Sequence, residues 1–254
     1  MIRSEWIKQV TLRSVLLTLA GLLVVMIGFG LLAALVATGE VDDPARGPAF
    51  ARADPLGTVM TCANFAVLIV GVLGVLTGAR EYGFGMIRGT LAAVPRRLTV
   101  LGAKMIAFSG LVLPVLVAGV MTAFFGGMAI LNGAGADTAS WSDDGVARAV
   151  VGMIGYLWGI GLLGIAVGIL LRSIAGGLAV LLGGLLFVPA LLTALLPDNW
   201  DAVLQYLPSN AGASFTSLTA ADSTLSVGAG LAVFTACVLV AITGAAVALV
   251  RRDA

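Results

Sequence analysis

Histidine is missing from this chain altogether, and cysteine is reduced to Cys62 and Cys237. Without histidine, the commonest general base and the commonest metal ligand are both gone. The two cysteines lie far apart in apolar runs, a setting that suits buried free thiols better than a disulfide or a metal pair. Charge is scarce as well. Only 11% of the 254 residues are Asp, Glu, Lys or Arg, against about 25% in an average soluble domain. A net charge of +1 leaves no basic footprint for nucleic acid. The only lysines are Lys8 and Lys104, and neither follows a Gly-x-x-x-x-Gly-Lys-Ser/Thr phosphate loop, so the chain carries no ATP site of that kind. There is no His-Glu-x-x-His, no Gly-x-Ser-x-Gly and no pair of acids inside an apolar run, which argues against hydrolytic chemistry. We therefore expect no enzyme activity, metal or cofactor in the chain itself.

Apolar surface is what the chain has in abundance: 60% of its residues are hydrophobic and the mean hydropathy is +1.10. Six apolar runs stand out, at about 15–37, 57–78, 98–131, 146–171, 174–196 and 227–250. Each is long enough, at 1.5 Å per residue, to cross a hydrocarbon core of about 30 Å. The pattern predicts an all-α polytopic membrane protein, one transmembrane domain over residues 1–254. The first run has 23 residues, too many for a cleaved signal sequence, and reads as an uncleaved span. The third run contains Pro114 near its middle, where a kink or a break is expected. Arg172-Ser173 leaves room only for a very tight turn, making a helical hairpin of the fourth and fifth runs.

Charge placement gives an orientation. With both termini in the cytoplasm, Arg3, Lys8, Arg13, Arg80, Arg88, Arg96, Arg97, Lys104, Arg172, Arg251 and Arg252 lie inside. Only Arg46, Arg52 and Arg148 lie outside, a split of 11 to 3. That bias fits the positive-inside rule and predicts a multi-pass protein of the plasma membrane. No ionisable residue falls deep within a run; Lys104, in the first turns of the third, comes nearest. Ion-coupled carriers place such groups at mid-membrane, so a pump built this way needs its energy from a partner. Asn64 is the one strongly polar candidate near the interior, either a helix–helix hydrogen bond or a substrate ligand. Phe65, Met121, Phe124, Phe125, Met153 and Trp158 are open to two readings as well, lining of a hydrophobic path or ordinary packing. The glycine pairs Gly155-x-x-x-Gly159 and Gly164-x-x-x-Gly168 permit close helix approach, within one bundle or between subunits.

The segment 79–97, between the second and third runs, is different in kind. Phe84, Ile87, Leu91 and Val94 recur at three- and four-residue spacing and share one helical face, while Arg80, Glu81 and Arg88 lie elsewhere around it. Pro95 ends the pattern before Arg96-Arg97. Gly83, Gly85 and Gly89 each weaken an isolated helix by about 1 kcal/mol relative to Ala, so such a helix has to be held by packing. Spacing alone leaves a second reading open, a surface loop whose arginines only fix topology.

Glu81-Tyr82-x-x-Gly85-x-Ile87-Arg88-x-Thr90-Leu91-x-Ala93-x-Pro95-Arg96-Arg97, followed by Leu101-x-Ala103-Lys104, resembles the first cytoplasmic loop of the ABC-2 type transporter permeases. Arg3-Ser4-Glu5-Trp6-x-Lys8 with Thr11-Leu12-Arg13-Ser14, and later Tyr206-Leu207-Pro208-Ser209-Asn210, resemble that family's segments before its first and last spans. The resemblance implies six spans preceded by an amphipathic helix (1–14) on the inner leaflet, anchored through Arg3, Trp6, Lys8 and Arg13. It implies a coupling helix over Glu81–Ala93 and a re-entrant outer hairpin within 197–226. Glu81, Tyr82, Phe84, Gly85, Ile87, Arg88, Leu91, Pro95 and Arg96 would meet the ATPase. The implied partners are a second copy of the permease, forming a homodimer, and two copies of a separate ATP-binding subunit that holds the ATP and Mg. Membrane lipid surrounds the whole. The implied activity is export of a hydrophobic or amphipathic substrate such as a drug, peptide or lipid. Two other readings remain beside it: a non-exporting permease-like immunity, sensing or assembly component, and a channel or secondary carrier.

Overall fold

A computed structural model describes residues 2–41, 54–83, 97–195, 201–218 and 225–251. All regular structure among them is helical. The elements are α1 (Ile2–Thr11), α2 (Arg13–Val41), α3 (Pro55–Met60), α4 (Cys62–Gly83), α5 (Arg97–Gly133), α6 (Val146–Leu171), α7 (Ile174–Leu182), α8 (Val188–Leu195), α9 (Asp201–Leu204), α10 (Pro208–Thr216) and α11 (Val227–Arg251). Among the described residues, six helices are long and apolar enough to span a membrane: Arg13–Thr38, Pro55–Arg80, Leu98–Gly133, Val146–Leu171, Ile174–Leu192 and Val227–Arg251. The chain is thus a multi-pass membrane protein by length and composition of its helices.

The second and fourth spans form the centre, and glycine is the reason. Gly71, Gly74 and Gly78 of α4 face Gly161, Gly164 and Gly168 of α6 so closely that a methyl group added at Gly74, Gly78, Gly164 or Gly168 would run into the opposite backbone. In lipid, where no hydrophobic effect drives helices together, close backbone approach maximises dispersion contact. Gly164-x-x-x-Gly168 therefore packs inside one bundle. Phe108, Leu116 and Phe124 of α5 and Leu22 and Met26 of α2 close the core around this seam. The fifth span is the outlier, with only Gly177 and Leu181 of α7 buried.

Local chemistry sets the helix boundaries. Asp54 caps α3, its Oδ1 accepting the Gly57 N–H at 2.8 Å, with Pro55 in the first helical position. At the opposite end of the molecule, α6 stops at Arg172, which adopts a left-handed conformation (φ 52°) while its N–H bonds the Gly168 carbonyl. Ser173 then caps α7, its Oγ accepting the Gly176 N–H at 3.2 Å. The tight hairpin expected at Arg172-Ser173 is built in this way.

Of the kink or break expected at Pro114, the break is not found: α5 continues through it as one helix of 37 residues. A single missing N–H is tolerated in a helix flanked by neighbours on several sides. The interruption falls in the fifth span instead. There Gly183–Phe187 forms a π-helical turn in which the Val188 N–H reaches back five residues to the Gly183 carbonyl. Pro189 follows directly, and Gly183-Gly184 supplies backbone with little preference for the α-helix, so two weaknesses coincide.

Candidate functional site

Charged residues segregate to the two ends of the bundle. Arg3, Lys8, Arg13, Arg80, Lys104, Arg172 and Arg251 lie at one end; Asp54, Asp137, Asp143, Asp144 and Arg148 lie at the other. The basic end is where α4 leads into residues 84–96 and α5 leads out of them.

The first helix holds this end together in a way its pattern does not suggest. Its buried side chains are Glu5 and Gln9, one helical turn apart, while Trp6 and Ile7 are exposed. The polar residues Glu5 and Gln9 are turned inward while Ile7 is turned outward and Trp6 is only partly covered, the reverse of a helix on a water-facing surface. Glu5 is the hub. Its Oε2 accepts from Lys104 Nζ at 3.1 Å and its Oε1 from Lys8 Nζ at 2.8 Å. Glu5 and Lys104 are almost wholly buried, at 4% and 6% side-chain exposure, and Lys8 is half exposed. Gln9 Nε2 is buried beside this network without a hydrogen-bond partner. The Trp6 indole lies against Gly110 of α5, where an added methyl group would strike the ring.

Two further contacts tie neighbouring elements to this end. The Arg172 guanidinium sits 5.3 Å from the centre of the Tyr82 ring, joining the last turn of α4 to the α6–α7 turn. Arg80 Nη2 reaches Ser14 Oγ at 3.4 Å, a long bond from α4 to the start of α2. Of the residues expected to meet an ATPase, Tyr82 is therefore engaged with Arg172. Glu81 lies in the last turn of α4. Phe84, Gly85, Ile87, Arg88, Leu91, Pro95 and Arg96 lie outside the described residues. Of the expected anchors, Arg3, Lys8 and Arg13 are exposed, and Trp6 packs on Gly110.

The function of Glu5 is the residue that sequence reading missed. Glu5 and Gln9 at i and i+4, flanked by Trp6, Ile7 and Val10, carried the signal: a polar face on a helix next to a membrane needs a polar partner. Lys104, the one lysine near a span, is that partner.

At the acidic end, the rings of Phe29 of α2 and Phe65 of α4 meet at 4.2 Å between centroids, tilted by 32°, both about two-fifths exposed. Asn64 is exposed next to them. Its carboxamide has no hydrogen-bond partner among the described residues, so the helix–helix bond considered for it is not made within this chain. Phe125 is exposed and rests on Trp141, whereas Phe124 and Met153 are core residues. Trp158 donates its indole N–H to Ser109 Oγ at 2.9 Å and so braces α6 against α5. The Tyr206–Asn210 stretch is a structural joint: Pro208 opens α10, and Asn210 Nδ2 donates to the Leu204 carbonyl of α9 at 2.9 Å. The α10 helix is wedged between α6 and α11, with Gly212 against the Tyr156 ring and Phe215 among Tyr156 and Phe234. Among the described residues no group of three His, Cys, Asp or Glu gathers to hold a metal.

Comparison with protein-family models, with curated proteins and with solved structures finds no match to this chain.

Proposed function

We propose that this chain is the permease subunit of an ATP-driven exporter of the ABC-2 type, in the plasma membrane with both termini cytoplasmic. It would pair with a second copy of itself and with two copies of a separate ATP-binding subunit that binds ATP and Mg, and would move a hydrophobic or amphipathic substrate outward. The single observation that supports this most is the first helix, pinned to α5 by the buried Glu5–Lys104 pair and by Trp6 on Gly110, with Ile7 turned outward. An interfacial helix locked to the third span is a rigid part through which a push on the basic end reaches the bundle. Residues 84–96 leave α4 and enter α5 at that same end, where a coupling helix would receive the push. The bundle would then rock between inward- and outward-open forms. In this reading α9 and α10 are the re-entrant outer segment, and the exposed Phe29, Asn64 and Phe65 are turned toward the pathway or the second permease.

Native mass measurement of the tagged chain, extracted in mild detergent from its own host, tests the architecture. A two-plus-two complex with an ATP-binding subunit is expected. A chain that emerges alone or as a bare oligomer across several detergents overturns the proposal. Glu81→Ala and Arg88→Glu then test the coupling segment: both should lower ATP-driven transport at normal membrane levels, and unchanged rates would remove the role assigned to it.

A further inference from the structure

A slot of about 430 Å³ runs along the outside of the bundle between α6 and α11. It exists because α6 presents glycine at 152, 155 and 159. Gly152 is covered by Phe215 and Gly159 by Phe234, but nothing approaches within 4 Å of a side chain built at Gly155. Val151 and Leu231, on the two walls, are exposed, so the slot opens sideways to the surroundings of the helices. Its lining on α6 extends from Arg148 to Leu162, about 21 Å at 1.5 Å per residue. One leaflet's hydrocarbon is about 15 Å, half of the ~30 Å core. Apart from Arg148 at one end and Thr235, the lining is hydrocarbon, glycine and aromatic ring.

Arg148 gives the slot a polarity. It sits in the first turn of α6, where the helix dipole is also positive. Its guanidinium makes two long bonds, Nη1 to the Ser214 carbonyl at 3.5 Å and Nη2 to the Ser217 carbonyl at 3.4 Å. Neither uses much of a group with five N–H donors. No carboxylate pairs with it among the described residues: Asp143 Oδ2 turns back to accept the Ser140 N–H at 2.7 Å, and Asp144 is exposed. An arginine with no carboxylate partner among the described residues, at the rim of a one-leaflet apolar slot, is complementary to a ligand with a long acyl chain and a phosphate at its head.

We propose that the α6–α11 slot is a binding site for an anionic phospholipid, with one acyl chain against Gly155 and Trp158 and the phosphate on Arg148. The site requires only that the chain lies in a bilayer, so it stands or falls independently of the exporter reading.

Trp158 lines the slot and reports on it. In the full chain carrying Trp6→Phe, Trp141→Phe and Trp200→Phe, Trp158 is the sole tryptophan. The protein is placed in phosphatidylcholine nanodiscs with increasing fractions of dibrominated phosphatidylglycerol, or of dibrominated phosphatidylcholine in a parallel series. Quenching should half-saturate at a several-fold lower mole fraction of the anionic lipid. Arg148→Gln should make the two curves coincide, and Gly155→Leu should abolish the saturable phase while leaving the thermal midpoint near that of the parent. Coincident curves in the parent protein overturn the proposal, as does a preference that survives Arg148→Gln. A Gly155→Leu protein that changes oligomeric mass would instead assign the slot to a second copy. Should Gly155→Leu fail to fold, the Arg148→Gln comparison decides alone.

Discussion

Glu5 carries two cations on one carboxylate, and the two are not equivalent. Lys8 reaches it from half-exposed surface on the same helix, an arrangement worth a few tenths of a kcal/mol at most. Lys104 reaches it from another helix with both groups buried, and there the cost of removing one partner dominates, because the other is left as an uncompensated buried charge. Glu5→Gln should therefore destabilise the detergent-solubilised protein by about 3 kcal/mol or more, read as a fall in thermal or denaturant midpoint. Lys104→Met alone should cost less, since Lys8 remains to hold Glu5. The pair Glu5→Leu with Lys104→Met should regain most of the loss, because apolar replacement of a whole buried pair is often neutral. If the double variant is as unstable as the sum of Glu5→Leu alone and Lys104→Met alone, the two residues do not act as a pair. The composition of this site was legible before its geometry was. Lys104 is legible as the charge nearest to a span, but the inward position of Glu5 is not, because it depends on what lies across from α1, and that partner is 99 residues away.

Helices pair here by backbone proximity, and glycines in the same chain play opposite parts according to what faces them. Gly164 meets the backbone of α4 around Gly71 and Gly74, whereas Gly155, two and a half turns earlier on α6, meets nothing. Gly164→Leu forces α4 and α6 apart along the seam at the centre of the bundle and should cost at least the 1–3 kcal/mol typical of overpacking. Gly155→Leu should be close to neutral. Thermal midpoints of the two variants side by side check this, and equal effects would mean that the seam is not as close as described. Spacing alone could name both glycine pairs but not rank them, since small-residue pairs look alike until the neighbouring helix is in place. The same limit explains the prolines. Pro114 was the natural place for a break and Pro189 was not singled out, yet α5 passes through Pro114 while the fifth span winds into a π turn before Pro189. Packing on several sides supports α5; the fifth span is packed less, with only Gly177 and Leu181 of α7 buried, and Gly183-Gly184 precedes its proline.

At the scale of the whole molecule, the separation of basic from acidic residues links the fold to the proposed function, because an ATPase in the cytosol can act only on the end that faces it. The six spans could be read from hydropathy with ends within a few residues of those observed, and the charge split followed once the spans were placed. What lies between spans was legible only as pattern, and the residues bearing the resemblance at 84–96 are the ones whose structure is not described. Orientation can nevertheless be tested with described positions. Cys62 and Cys237 are replaced by Ala, and a single cysteine is introduced in place of the exposed Asp144, before α6, or the exposed Arg251, at the end of α11. In intact cells a membrane-impermeant maleimide should label Asp144→Cys, and should reach Arg251→Cys only after permeabilisation. The helices around these positions fix them at opposite ends: α6 runs from Val146 down to Leu171, and Gly244 near the end of α11 rests on Leu170. The reverse labelling pattern would put eleven basic residues on the external face, against the positive-inside rule. It would also carry residues 84–96 away from any cytosolic ATPase, and the exporter reading would fall while the packing of the bundle stood unchanged.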